Sequence, residues 1–324
     1  MSPARRIRRT FFVFAMKIIK ILLIILSVLA TCSIWLGIIL MVDRNRAEAY
    51  KSAIQKADST MSPFIQSISL ASYESVTMIN RLNSMASINF VKDYPEERFS
   101  KKKEILKDVG EALRECSCAM SFDIYDADTR ILSRIYLDKD GAAKVEETKE
   151  SGLVRDMFIR GSLLNEGEIY MSRFYETADP LTGAKVNVIS YVSPIRSREG
   201  KIIGLGGLTV PVNQFFSGFE KQSIPKGLFV VDNEGNYLWH SDKSRVLEIL
   251  KKKDSSFFAD FSKSYPDILG GRGELRIWDG ALNDYLEVRP VHPAFEVIVD
   301  GVSRKINAQE TPNANKVWFI GYEE

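Results

Sequence analysis

The sequence has little of the chemistry that marks several common protein classes. Its 324 residues include three cysteines, too few for the disulfide framework of a small secreted domain. Its two histidines, His240 and His292, lie far apart, which excludes a zinc enzyme built on several imidazoles. Neither G-x-S-x-G nor H-E-x-x-H occurs, and no close carboxylate pair stands beside a base. Gly204-x-Gly206-Gly207 lacks the third glycine of a dinucleotide loop and sits in a strand pattern rather than before a helix. Glycine in a strand marks close approach of another backbone or a ligand instead. No enzymatic activity, cofactor or resident metal is therefore expected. A basic excess is missing too: 44 Lys and Arg face 42 Asp and Glu, unlike a nucleic-acid binder. Hydrophobic residues make up 45%, which excludes a disordered chain.

One stretch lacks charge altogether. Residues 21–42 are uncharged, and as a helix at ~1.5 Å per residue they span ~33 Å, enough for a ~30 Å hydrocarbon core. The run exceeds the 7–15 residues of a signal-peptide core, and no small-x-small site ends it. Residues 1–20 hold six basic groups and no acid, so the near-neutral total hides a negative remainder. The positive-inside rule places this tail in the cytoplasm and the chain after Val42 outside, in a periplasmic or extracellular space. A single-pass inner-membrane protein is the expectation.

Residues 43–91 contain no glycine and one proline, Pro63. Ala47, Tyr50, Ile54, Ala57, Met61, Phe64, Ile68, Ala71, Met78, Leu82 and Met85 recur in 3-4 alternation, broken at Ser75. That is a heptad on one long helix, with Pro63 predicting a kink. The stripe is expected to face both an identical helix in a homodimer, near the membrane, and the chain's own globular part. A second, shorter helix is predicted over residues 95–115. After Cys118 the pattern becomes short strands and turns. Strands are expected at 120–125, 131–137, 168–175, 185–195 and 202–212, with a helix at 153–164. The order recurs at 227–232, 237–241, 273–278, 285–291 and 295–302, with a helical stretch at 244–265. Cys116 and Cys118 read as two buried thiols or as an intermolecular disulfide.

The predicted class is α+β, with two tandem PAS-like antiparallel five-stranded sheets. The predicted division is a basic tail (1–20), a transmembrane helix (21–42), a stalk helix and second helix (43–115), a membrane-distal unit (116–218), a membrane-proximal unit (226–304) and a C-terminal tail (305–324).

This layout resembles the double Cache family of tandem PAS-like sensors, found in bacterial chemoreceptors, histidine kinases and diguanylate cyclases. The resemblance rests on Tyr170-Met171-Ser172, Asp179-Pro180-Leu181-Thr182-Gly183, the run Ile189 to Ile195, and Gly200 to Gly207. In the second unit it rests on Phe229 to Gly235 and His240-Ser241-Asp242. It implies a ligand site in the membrane-distal unit. Arg155-Asp156-Met157-Phe158 stands where amino-acid-binding members carry Arg-x-Trp-Tyr. Thr177 and Thr209 replace a tyrosine and an aspartate of that motif, while Asp179 keeps its turn aspartate. Arg155, Met157, Phe158, Thr177, Asp179, Tyr191 and Thr209 are the implied ligand-binding residues. With a carboxylate and much of the aromatic set missing, the resemblance points away from an ordinary amino acid. Arg155 is suited to a small organic acid through a bidentate contact.

The expected function is a membrane-anchored sensor that binds a small molecule and passes the signal along the stalk helix. Its output lies on a partner protein or on a module absent from this chain. The alternative is a membrane-anchored adaptor whose PAS-like units bind another protein.

Overall fold

The computed structural model describes residues 3–85, 102–116, 118–126, 131–146, 152–165, 168–172, 174–243, 257–261, 266, 268, 275–279, 284–293, 296–299, 302–305 and 317–323. The chain forms two units, residues 1–59 and 60–324. Helix α1 (Pro3–Ser84) supplies all the described structure of the first. Its apolar side chains from Leu26 to Val42 stand exposed, and by length and composition this helix can cross a membrane. Unpartnered leucines, isoleucines and a tryptophan on a helix are what lipid covers.

Within the second unit, α1 presents the predicted stripe. Met61, Phe64, Ile68, Ala71, Met78 and Leu82 are all buried. Ser75 does not break it. The residue is fully buried, and its hydroxyl donates to the Ala71 carbonyl at 2.7 Å. A serine satisfied by its own helix serves as a small core residue. The helix continues through Pro63. Helix α2 (Lys102–Glu115) follows, joined to α1 by an exposed ion pair between Arg81 and Glu115. Cys116 and Cys118, just beyond α2, form a disulfide with each other. The sequence suggests buried thiols or an intermolecular bridge instead, because a bond across one intervening residue leaves no spacing signature.

The first sheet holds β1 (Ser121–Asp126), β2 (Ile131–Leu137), β3 (Ala143–Glu146), β4 (Tyr170–Met171), β5 (Tyr175–Ala178), β6 (Lys185–Arg196) and β7 (Ile202–Pro211). Every pairing is antiparallel, in the order β3-β2-β1-β7-β6-β4, with β5 also on β6. It has seven strands rather than five. The unforeseen β3 is a four-residue edge strand of alternating half-buried and exposed residues, a weak pattern. The strand expected at 168–175 is two short pieces. Helix α3 (Gly152–Gly161) precedes β4. Asp138 and Asp179 hold the predicted turns, accepting from the backbone N–H groups of Ala142 and Leu181 at 2.8 and 2.7 Å.

A short helix, α4 (Val212–Phe215), leads on toward β8 (Phe229–Asp232) and β9 (Tyr237–His240). Then come α5 (Phe257–Asp260), β10 (Leu275–Asp279), β11 (Asp284–Val291), the hairpin β12 (Glu296–Val299) and β13 (Val302–Lys305), and β14 (Trp318–Glu323). The second sheet runs β10-β11-β14-β8-β9. Its five strands match the expected number, but one of them is different. The strand expected at 295–302 belongs to the separate two-stranded hairpin. Its place is taken by β14, from the segment read as a tail, which lies in the middle of the sheet. Phe229, Val231, Leu286, Val288 and Phe319 then form one apolar core with Phe257, Phe261 and Ile268. The sequence-predicted helix at 244–265 otherwise lies outside the described residues.

Gly321 is why β14 fits between its neighbours. A Cβ there would stand 2.6 Å from Phe229 Cζ and 3.0 Å from the Glu287 carbonyl oxygen. Gly321→Val is expected to destabilise the full-length protein by about 1–3 kcal/mol through overpacking. Urea unfolding in detergent micelles, followed by tryptophan fluorescence, measures it. An unchanged midpoint would contradict this packing.

Candidate functional site

Strand β1 alternates polar and apolar residues, and both of its faces are buried. Ser121, Asp123 and Tyr125 point to one side of the first sheet, Phe122 and Ile124 to the other. The register sets Asp123 opposite Arg134 on β2 and Gly207 on β7, and Thr209 opposite both Ser121 and Ser190. A polar network follows from these pairings. Arg134 Nε and Nη2 donate to the two Asp123 oxygens at 3.0 and 3.2 Å. The Tyr125 hydroxyl donates to Asp123 at 3.2 Å, and Ser121 Oγ does so at 3.3 Å. The Tyr175 hydroxyl, Ser190 Oγ and Thr209 Oγ1 continue the chain at 2.7 and 3.1 Å.

The Asp123 side chain is 0% exposed and that of Arg134 12%. An isolated carboxylate at that depth is costly, and the guanidinium beside it makes the burial tolerable. Burial works against the Arg134 charge, but the neighbouring Asp123 carboxylate outweighs it and holds the guanidinium pKa above its ordinary value. Burial first, and the Asp123 charge second, push the Tyr125 phenol well up. Burial likewise raises Tyr175, against the pull of its bond to Ser190. Both phenols stay protonated at neutral pH, and that of Tyr125 donates to Asp123.

Beside the network is a small apolar cover. Met157 on α3 packs with Leu164, Tyr125, Tyr170, Val192 and Leu205. Glycine lets the helix come close: a Cβ on Gly161 would stand 3.0 Å from Leu205 Cδ2. Past the network opens a cleft of about 370 Å3, lined by Arg134, Tyr136, Val145, Glu146 and Asp179 among others.

The sequence-predicted residues are divided by this arrangement. Asp179 lines the cleft while also capping its turn. Thr209 is in the buried network and Met157 in the apolar cover. Thr177, half-buried on β5, falls on the same side of its strand as Tyr175. Tyr191 lies on the opposite face, paired with Leu208 where Ser190 pairs with Thr209. There it is buried beside Ser72 of α1, and burial raises its phenol. Arg155 and Phe158 are on α3, but their side chains lie outside the described residues. Sequence reasoning missed Asp123, Arg134, Tyr125 and Tyr175. The alternation in Ser-Phe-Asp-Ile-Tyr was visible, but it reads as a solvated face unless a second layer is known to cover it.

No family model matches the sequence, and neither does any curated protein. Solved structures do match. The extracellular domain of the putative histidine kinase vpHK1S-Z8 superposes with a TM-score of 0.61 at 11% identity, covering 85% of this chain and 95% of that one. The periplasmic sensory domain of the Campylobacter jejuni chemoreceptor Tlp1 gives 0.56 at 13% identity, over 82% and 92%. The ligand-binding domain of the Campylobacter jejuni chemoreceptor Tlp3, in complex with L-valine, gives 0.51 at 12% identity, over 86% and 94%. The chain has the fold of these bacterial sensor domains. In this sensor fold the buried Asp123–Arg134 pair is the central polar feature of the first sheet.

Removing one partner strands the other. Asp123→Ala is expected to cost about 3–5 kcal/mol, since it leaves a buried guanidinium unpaired. The double change Asp123→Leu with Arg134→Met is expected to recover most of that loss. Urea unfolding of the three proteins checks both statements. A single variant no less stable than the double would refute the pairing argument.

Proposed function

We propose that this protein is a membrane-anchored extracytoplasmic sensor whose first sheet binds a small polar ligand in the Arg134–Asp179 cleft. One observation carries the reading. Strands β6 and β7 carry Ser190 and Thr209 of the network on one face, and on the other they set Tyr191 and Gly206 against Ser72 and Asn83 of α1, the helix whose sequence runs back to the apolar segment. A ligand that favours one arrangement of the sheet then biases the helix, as a shift or rotation. Six basic residues before the apolar run support a cytoplasmic N-terminus and an external sensor.

The ligand class follows from charge. Among the described residues, Asp123, Glu146 and Asp179 stand against the single cation Arg134 in and behind the cleft. Asp123 already occupies two of the Arg134 donors. A bare organic acid, the ligand suggested by Arg155, gains little there. A small amine or zwitterion suits it better, with its ammonium toward Asp179 and Glu146 and any carboxylate toward the outer Arg134 N–H groups. The L-valine held by the Tlp3 domain is a molecule of that kind.

The test is a thermal-shift panel of amino acids, amines and dicarboxylates on the full chain in nanodiscs. An amine or zwitterion is expected to raise Tm by mass action. Asp179→Asn is expected to weaken its binding about tenfold, through loss of a charge-assisted contact. A panel without a single stabilising compound, or binding indifferent to Asp179→Asn, would sink the assignment.

The heptad before Thr60 supports a homodimer through α1. Tyr50 lies on that stripe and is 54% exposed. Tyr50→Cys, in a Cys32→Ser background, is expected to form an oxidised dimer in membranes, read on a non-reducing gel. Purely monomeric chains under oxidant would argue against the dimer.

A further inference from the structure

A second opening lies between the two sheets, on the far side of β5 and β6 from the Arg134 cleft. It is an open cleft of about 530 Å3, within the range of small-molecule sites. Its walls hold three aromatic rings, those of Phe174, Phe216 and Trp239, with Asn187 and Asn213 among the lining residues. Lys185 and Glu220 at its rim are both already engaged, Lys185 with Glu176 at 2.6 Å and Glu220 with Lys243 at 3.8 Å. No net charge is left for a ligand to answer.

The rings are held in place. Trp239 receives Phe219 edge to face at 5.0 Å and Phe216 at 6.5 Å. The Tyr237 ring turns the other way, into the second sheet's core against Phe229 and Phe257, with its hydroxyl donating to Asp260 at 2.7 Å. The two asparagine side chains have no hydrogen-bond partner among the described residues, although Asn187 is half-buried.

Strand order adds a third element. Strand β9 is the edge of the second sheet. Three consecutive residues, Tyr237, Leu238 and Trp239, all line the cleft. Successive strand residues point to opposite faces, so the cleft runs along the edge of β9 rather than over one face. A strand edge carries backbone donors and acceptors. Leu238 is the extra residue of a bulge, between the pairs Val230–Trp239 and Val231–Tyr237.

We infer that this cleft is a second ligand site, taking an uncharged planar aromatic compound with amide-like hydrogen-bonding groups. The rings stack on its plane, and the asparagine amides with the β9 edge read its rim. Such a ligand touches β6 of the first sheet and β9 of the second, so its binding ties the two sheets together. This site shares no lining residue with the Arg134 cleft and does not depend on the ligand proposed there.

The probe is indole-3-carboxamide, added to the full chain in nanodiscs and followed by thermal shift and saturation-transfer NMR. It is expected to bind at millimolar or lower concentration and to raise Tm. Asn187→Ala, on a half-buried strand position outside the core, is expected to weaken binding about tenfold through loss of a hydrogen bond to the ligand. Trp239→Leu is expected to weaken it at least as much, and Asp179→Asn not at all. The charged analogue indole-3-carboxylate is expected to bind about tenfold more weakly, because its charge has no partner here. Absence of saturation transfer to the carboxamide overturns the inference. So does binding that survives Asn187→Ala unchanged, or binding lost in Asp179→Asn. Equal affinity for the carboxylate overturns the ligand class.

Discussion

One apolar stripe on α1 is shared between the first sheet and the connection 212–221, which packs in turn on the second sheet, and the rest of the second unit is arranged around that sharing. At Phe64 the stripe meets Phe219, ring to ring at 4.8 Å. Phe219 meets Trp239 of the second sheet, and Phe215 of the same connection meets Trp318 at 5.2 Å. Ser67 reinforces this end with a bond to the Phe215 carbonyl at 3.4 Å. Farther along, Ser72 lies beside Tyr191 of the first sheet, and Asn83 lies against Gly206. Burying one phenylalanine side chain contributes about 1.5–3 kcal/mol. A helix holding several such contacts cannot detach from the first sheet or the connection without losing much of a small domain's stability.

The two adjacent glycines of β7 make the sheet thin at its critical point. A Cβ on Gly206 would reach to 2.8 Å from Asn83 Oδ1, on the helix side. A Cβ on Gly207 would come to 2.9 Å from the Tyr125 ring, on the ligand side. Tyr125 bonds to Asp123, and Asp123 to Arg134. The chemistry of the network and the packing of α1 are thus separated by one strand of backbone. The glycines noted in the sequence as a failed nucleotide loop have this close approach as their physical cause.

What was legible in the sequence is what local rules control. The membrane helix, the heptad stripe and the aspartate turns followed from hydropathy, period and turn chemistry. Most strands of both sheets followed from alternation and spacing. Other features did not, three of them for reasons the packing makes plain. The strand Trp318–Glu323 follows a long connection and inserts between β8 and β11, a non-sequential pairing that no local pattern announces. Ser75 read as a break because its satisfied hydroxyl is invisible in a hydropathy pattern. The Asp123–Arg134 pair goes unannounced, since alternation tells which residues share a face and not whether that face is covered. Of the candidate site, Asp179, Thr209 and Met157 come to one side, and Tyr191 goes to the helix side because its neighbour Ser190 takes the other.

The network's rigidity limits where a ligand acts. Asp123 is bonded by Arg134, Tyr125 and Ser121 at 3.0 to 3.3 Å, at a site without solvent. Breaking such a pair costs more than the 1–3 kcal/mol typical of coupling between sites. The strands that carry the network, β1 and β2 through the pair and β6 and β7 through Ser190 and Thr209, therefore move as a body. The compliant parts are at the sheet's far edge, where β4 pairs with β6 over two residues and β5 over four. Helix α3 rests on that edge through Met157 and Tyr170. Short edge strands open at low cost. In the sensor reading, a ligand seated against the Asp179 turn, which follows directly on β5, draws on this compliance. The rigid centre then delivers the displacement to α1, because nothing soft lies between Gly207 and Asn83 to absorb it.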